Sequence, residues 1–139
     1  MNLSVGDAVD EVEFDVERGK IREFARASFT EDTVHTGPGS DALATLTHTA
    51  VTAHLRDQRG FVAALGLDIH RIVVGSCSWS YRRPLAAGDR LTATRRVLSD
   101  ETREGASGTM RLVTLETEFT DQDGEVPVTF REVLIERAS

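Results

Sequence analysis

The sequence predicts an α+β fold in which helices precede an antiparallel sheet. Apolar residues recur at helical spacing before Gly66, and after it they alternate at every second position to the end of the chain. The tetrapeptide Asp121-Gln122-Asp123-Gly124 separates two alternating segments and is typical of a β-hairpin turn. Helices followed by a three- or four-stranded meander form an α+β pattern, which we expect to pack as one long helix wrapped by a curved sheet.

The first segment predicts a short strand and a helix. Val12, Phe14 and Val16 alternate with acidic residues, which indicates an edge strand. Asp15 is placed to cap a helix over about residues 17–28. One face of that helix would hold Ile21, Phe24, Ala25 and Ser28.

A loop signal and a second helical pattern follow. Gly37-Pro38-Gly39-Ser40 is typical of a loop, so Ser40 or Asp41 is expected to begin the long helix. Small and apolar residues dominate most of the circumference of that helix, which predicts burial on more than one side. Its main stripe consists of Leu43, Leu46, Thr47, Ala50, Val51 and His54. A further helical turn from Phe61 to Leu65 is expected to end at Gly66, a residue that suits a helix C-terminus.

The second half of the chain predicts four strands. In the first, Val73, Cys77, Trp79 and Tyr81 are expected on one face and Val74 on the other, together with serines 76, 78 and 80. A turn at residues 84–89 separates it from the next strand. The remaining strands are predicted at Leu91–Leu98, Thr109–Thr120 and Val126–Glu136.

Composition excludes several classes of protein. With 139 residues, 40% hydrophobic and 28% charged, the chain fits one soluble domain spanning residues 1–139. Cys77 has no partner for a disulfide, and we find neither a secretory segment nor an apolar run near the ~20 residues of a membrane span, so a cytoplasmic location is expected. His48 and His54 would lie about 240° apart on a helix, which argues against a shared metal ion.

The net charge of −7 is unevenly distributed. Residues 82–115 hold seven arginines against four acids, whereas both ends of the chain are acidic. No Lys/Arg run exceeds two residues, so we expect no nucleic-acid partner.

Two segments carry a resemblance to a known family. They are Thr47 through Asp57 and the turn Tyr81-Arg82-Arg83-Pro84-Leu85-Ala86-Ala87-Gly88-Asp89-Arg90-Leu91. Over roughly residues 5–136 the chain resembles the MaoC-like hydratases and dehydratases, in the branch named for the dehydratase region of fungal-type fatty acid synthase. The resemblance implies a single hot dog fold, paired side by side with a second hot dog subunit as a homodimer or heterodimer. It also implies reversible (R)-specific addition or removal of water on an acyl thioester of coenzyme A or an acyl carrier protein, with no cofactor.

The resemblance places the catalytic pair at Asp32 and His35. In the family an Asp lies five residues before the His, and the fifth residue before His35 is Thr30. Two alignments stay open: a two-residue deletion that keeps Asp32 and His35 as the acid and the base, or a pair that is broken at Thr30. The first predicts a self-sufficient dehydratase. The second predicts a non-catalytic, substrate-binding subunit of a heterodimeric dehydratase. A hot dog thioesterase or a polyketide-tailoring enzyme is the remaining alternative.

The resemblance also suggests where a substrate would lie. The expected acyl-binding residues come from the long helix and the strand after Gly66, and they are Ala44, Thr45, Thr47, His48, Trp79 and Tyr81. An anionic carrier is expected to meet Arg82, Arg83 and Arg90. Each of these arginines could equally be paired with a nearby acid.

Overall fold

The computed structural model describes residues 3–39 and 41–138, so the predicted helix start at Ser40 lies outside the described residues. The strands are β1 (Ala8–Asp15), β2 (Ile72–Tyr81), β3 (Arg90–Gly105), β4 (Gly108–Thr120) and β5 (Val128–Glu136). The helices are α1 (Arg18–Ala27), α2 (Thr33–Thr36) and α3 (Gln58–Ala64), together with a central 3₁₀ helix (His48–Leu55) and a 3₁₀ turn (Ile69–Arg71).

The five strands form one antiparallel sheet in the order β1-β3-β4-β5-β2. The register places one residue from each strand in a row across the sheet. That row is Asp10, Arg95, Thr117, Phe130 and Trp79. The predicted hot dog architecture, an α+β fold with helical segments packed on a single sheet, is confirmed.

This row of residues divides the core into two apolar clusters. One cluster is built around Phe14, Leu85, Leu91, Phe119 and Val128. The other is built around Leu65, Val97, Val113, Leu115 and Leu134. Because β3 contributes Ala93 to the first cluster and Val97 to the second, Arg95 lies between the two.

The long helix predicted from residue 40 or 41 is broken in the structure. Leu43 makes an isolated antiparallel bridge to Ala86, so the chain is extended there, and helical structure begins only at His48. Three threonines and a valine within residues 47–52 disfavour an α-helix, and the Thr52 hydroxyl donates to the Thr49 carbonyl at 2.7 Å. The Asp57 side chain then accepts a hydrogen bond from the Gly60 amide at 2.9 Å and starts α3 as a separate helix.

Three smaller predictions also need correction. Asp15 ends β1, and the helix cap is Glu17, which makes no side-chain capping bond. β3 continues to Gly105, beyond the predicted end at Leu98. A register shift between Val74 and Ser76 turns β2, so that Val74 faces the same cavity as Cys77 and Trp79 rather than the opposite side.

No helix in the described part of the chain is both long and apolar enough to cross a bilayer.

Candidate acyl-binding site

A cavity of about 340 Å³ lies between the central 3₁₀ helix and the concave face of the sheet. This volume is at the lower end of the range of small-molecule sites. Its walls combine aromatic and charged groups, among them Phe61, Trp79, Phe130, Arg56, Arg95 and Glu132. A larger depression of about 640 Å³ lies by the β3–β4 hairpin and is lined by none of the residues that the sequence predicts for a site.

Aromatic residues hold the helical side of the cavity against β2. The Trp79 indole donates from Nε1 to the Thr49 hydroxyl at 2.8 Å, and its ring lies 4.7 Å from that of Phe130. The Tyr81 hydroxyl donates to the Leu46 carbonyl at 2.6 Å, and burial raises the pKa of Tyr81 to about 12. These two bonds fix the start of the 3₁₀ helix over the edge strand of the sheet.

The opposite wall is an ion network between β1, β3, β5 and the residue after the 3₁₀ helix. Arg95, which is 3% exposed, donates to both carboxylate oxygens of Asp10 and, at 3.3 Å, to Glu132. Arg56 also donates to Asp10. Burial, reinforced by the nearby charge of Arg95, lowers the pKa of Arg56. The guanidinium of Arg95 lies 3.9 Å from the centre of the Phe61 ring, a cation–π contact.

Of the six residues predicted to bind an acyl group, Trp79 alone lines this cavity. Ala44 and His48 are buried in the core, and Thr47 is exposed. The His48 ring stacks on Phe14 and meets Phe24 edge-on, and neither of its nitrogens has a hydrogen-bond partner among the described residues. Burial lowers the pKa of His48 to about 4, so the ring is neutral at physiological pH. The break in the predicted long helix explains why these positions do not face the cavity.

The predicted catalytic residues lie at α2, a single helical turn. The Asp32 carboxylate accepts from the Val34 amide at 3.1 Å and so caps this turn. The half-buried His35 contacts the Leu43 carbonyl through Nδ1 at 2.5 Å. Because a carbonyl only accepts, Nδ1 carries a proton and is the donor in this contact. The His35 amide donates to the Asp32 carbonyl at 3.0 Å, but within the described residues no hydrogen bond joins their side chains, and neither residue lines the cavity.

The predicted carrier-binding arginines differ in their surroundings. Arg83 donates to Asp89 at 2.8 Å and to Asp121 at 3.0 Å, so it connects the β2–β3 and β4–β5 turns. Hydrogen bonds from Arg83 lower the pKa of Asp121. Arg82 and Arg90 are exposed, and no ion pair among the described residues includes either of them. Arg83 therefore has a structural role within the chain, whereas Arg82 and Arg90 face solvent.

Sequence comparison defines the family. Residues 4–130 match the family described as FAS1-like, dehydratase domain region. This chain belongs to that family. A UPF0336 protein of Streptomyces avermitilis is 35% identical over 134 residues, covering 91% of this chain and 87% of the relative. Another UPF0336 protein, from Clavibacter michiganensis, is 33% identical over 130 residues, covering 88% and 85%.

Solved structures agree with this family. A MaoC-like dehydratase superposes with a TM-score of 0.81 at 26% identity, covering 97% of this chain and 42% of the other chain. The HadBC (3R-hydroxyacyl-ACP dehydratase) complex of Mycobacterium tuberculosis contains a chain with a TM-score of 0.72 at 25% identity, covering 89% and 90%. The chain is therefore a hot dog member of a dehydratase and hydratase family.

The sequence analysis did not predict the ion network, although the sequence contains a pattern that indicates it. Asp10 shares its strand phase with the inward-facing Val12 and Phe14, and Arg95 shares its phase with the buried Ala93 and Val97. A charged residue at an inward position of a strand indicates a buried ion pair.

Proposed function

We propose that this chain is the acyl-thioester-binding subunit of a two-subunit hot dog hydratase or dehydratase. The observation that carries the proposal is an acyl-sized cavity whose wall contains neither Asp32 nor His35. Removal of water from a 3-hydroxyacyl thioester requires a base for the C2 proton and an acid for the leaving hydroxyl. In this chain the acid that the family resemblance suggests, Asp32, caps a helical turn away from the cavity wall, so a second subunit would supply the acid and the base.

The edge strand β2 offers the surface for that second subunit. Among the described strands β2 pairs with β5 alone, which leaves its other edge without a neighbour. Its apolar residues are open to solvent, with Val73 40% and Val74 59% exposed. An unpaired strand edge with apolar side chains favours pairing with another strand. A second hot dog sheet at this edge would also cover the side of the cavity formed by Val74 and Cys77. The HadBC complex, a structural neighbour, contains two different subunits by name.

A second candidate is a self-sufficient dehydratase in which His35 is the base and Asp32 handles the water. One observation favours it: the Leu43 carbonyl holds the Nδ1 side of His35, which leaves Nε2 free to take a proton. The same arrangement orients the histidine in many general bases. In this candidate the homodimer would place His35 of one chain near the thioester held by the other.

An activity assay combined with a binding assay separates the two candidates. The chain contains one tryptophan, Trp79, whose fluorescence reports on the cavity. We expect crotonyl-CoA to change this fluorescence, free CoA to leave it unchanged, and the pure chain to show no loss of the conjugated-enone absorbance. Turnover by the pure chain that His35→Ala abolishes would overturn the binding-subunit proposal in favour of the second candidate. Absence of both turnover and a fluorescence change would overturn both.

A further inference from the structure

Four charged groups lie between the two apolar clusters, and three of them, Arg56, Arg95 and Glu132, line the cavity. Asp10, Arg95 and Glu132 are on the concave face of the sheet, and Arg56 approaches them from the end of the 3₁₀ helix. The side chains of Arg56 and Arg95 are each 4% exposed, whereas those of Asp10 and Glu132 are 22% and 18% exposed. Two cations and two anions make the group neutral overall.

A pocket for a plain alkyl chain gains nothing from these groups. Desolvation of buried ions is costly, and well-packed apolar residues of similar volume generally stabilise a core at least as well. The two apolar clusters on either side show that this sheet is otherwise built from such residues. The position of the charges beside the cavity therefore points to a role in ligand recognition.

The network also keeps polar atoms available to a ligand. In the hydrogen bonds of the described residues Arg56 uses only Nη1, on Asp10, and Glu132 uses only Oε1, on Arg95. Arg56 therefore has further N–H donors and Glu132 has a second carboxylate oxygen, and both residues line the cavity. A guanidinium donor suits a carbonyl oxygen, and a hydroxyl can bond to either group.

We propose that this cavity selects acyl groups that carry a hydroxyl or carbonyl oxygen away from the thioester, in preference to plain alkyl chains. The inference rests on the proposed function and specifies the substrate class of the same cavity. An alkyl chain would cover the free donors of Arg56 and the free oxygen of Glu132 without replacing the water that solvates them. A site with unpaired polar groups binds a ligand that lacks the matching oxygen at least tenfold more weakly than one that has it.

Binding of three matched thioesters tests this preference. Hexanoyl-, 5-hydroxyhexanoyl- and 5-oxohexanoyl-pantetheine have the same chain length and are titrated against the full chain while the fluorescence of Trp79 is followed. We expect the two oxygenated ligands to bind at least tenfold more tightly than the hexanoyl ligand. Equal or tighter binding of the hexanoyl ligand would overturn the substrate class and leave the acyl-binding function intact. Binding of none of the three would overturn the proposed function, and this inference with it.

Two variants assign the preference to the network. Arg56→Met removes the donor but leaves Asp10 paired with Arg95, and we expect it to reduce the advantage of the oxo ligand to less than threefold. Glu132→Gln keeps the donor of Arg56, and the oxo ligand should retain its advantage.

The matched control is Arg111→Met, which breaks an ion pair with Asp100 away from the cavity. Circular dichroism confirms that each variant is folded. If Arg56→Met unfolds, Glu132→Leu replaces it as the test variant, and we expect that variant to lose the preference for the hydroxy ligand. An unchanged preference for the oxo ligand in folded Arg56→Met, or for the hydroxy ligand in Glu132→Leu where that variant is used instead, contradicts the inference.

Discussion

Arg95 and Asp10 form a two-point ion pair between the edge strand β1 and its neighbour β3. Nε of Arg95 donates to Oδ1 of Asp10 at 3.1 Å and Nη2 donates to Oδ2 at 2.6 Å, between residues that pair directly across β1 and β3. Arg56 donates to the same carboxylate. One acid on an edge strand therefore pairs with two buried cations, and the edge strand is connected to the helical layer through it.

We expect Asp10→Asn to destabilise the fold by about 3 kcal/mol. The substitution leaves two largely buried guanidinium groups without their shared anion, and removal of one partner of a buried pair typically costs 3–5 kcal/mol. Urea unfolding followed by circular dichroism measures the change. Asp100→Asn is the control, since the Asp100–Arg111 pair is about one quarter exposed and such pairs contribute about 1 kcal/mol or less. Equal losses in the two variants would show that the network does not behave as a buried one.

His48 should make the stability of the protein fall in mild acid. The unfolded ring takes up a proton with a pKa of 6.5 and the folded ring only at about 4, so the unfolded state binds more protons between these values. Stability is thus unaffected above about pH 7 and decreases as the pH falls, by roughly 2 kcal/mol at pH 5. Urea midpoints of the parent and of His48→Leu from pH 4 to 8 measure this.

Two comparisons identify the source of the pH dependence. His48→Leu should flatten the dependence between pH 7 and 5, because no titrating ring then remains at this position. His54→Leu, at an exposed position of the same 3₁₀ helix, should keep the dependence of the parent. A parent whose stability is constant from pH 7 to 5 would contradict the pKa shift.

The sheet could be predicted from sequence because the alternation of apolar and polar side chains can be recognised within each strand on its own. The predicted strands coincide with β2 to β5 apart from their ends, and Val12 and Phe14 lie in β1 as expected. The bulge at Gly75 escaped prediction because it depends on close approach: a Cβ there would lie 2.6 Å from the Ile135 side chain. The face assignment of Val74, which precedes the bulge, was wrong for that reason, whereas Cys77 and Trp79 line the cavity together as their shared face predicts.

The helical layer and the site were harder to predict. Residues 43–54 have helical spacing of apolar groups, but their threonines and the Leu43–Ala86 bridge favour an extended entry and a short 3₁₀ helix. This change moves His48 from an expected cavity wall into the core. The pairing of Arg95 with Asp10 depends on the β1–β3 register, which no local sequence pattern specifies.

Arg83→Gln should change the titration of Asp121. Hydrogen bonds from Arg83 favour the ionised carboxylate and lower its pKa, so Asp121 stabilises the fold above its ordinary pKa and loses this effect as the pH falls. In the variant the carboxyl should titrate at a higher pH, which carbon-13 NMR of the side chain detects. Arg103→Gln, which affects an exposed pair with Glu101, is the control. An unchanged titration would show that Arg83 does not hold Asp121 in solution.

Arg82 and Arg90 are the arginines expected to affect carrier binding. Both are exposed and outside the ion pairs of the described residues, so their charge is free to attract an anionic carrier. We expect Arg82→Gln/Arg90→Gln to weaken binding of crotonyl-CoA about tenfold at low salt and to leave crotonyl-pantetheine, which lacks the nucleotide phosphates, unchanged. Titration of Trp79 fluorescence measures both. Equal binding of crotonyl-CoA by parent and variant would remove these residues from the carrier-binding surface.

Phe29 is the residue at which a substitution should stabilise the protein. It lies two residues after the end of α1 in a left-handed conformation with φ of 59°, and its side chain is 92% exposed. The amides of Phe29 and Thr30 donate to the carbonyls of Arg26 and Ala25 at 3.0 and 2.8 Å, a helix-ending motif in which glycine is preferred. Phe29→Gly should therefore raise the free energy of unfolding by about 1 kcal/mol. Phe29→Ala removes the same ring but keeps the strained backbone, so the free energy of unfolding measured with urea should not rise. A gain in Phe29→Ala equal to that in Phe29→Gly would locate the cost in the exposed ring rather than in the backbone.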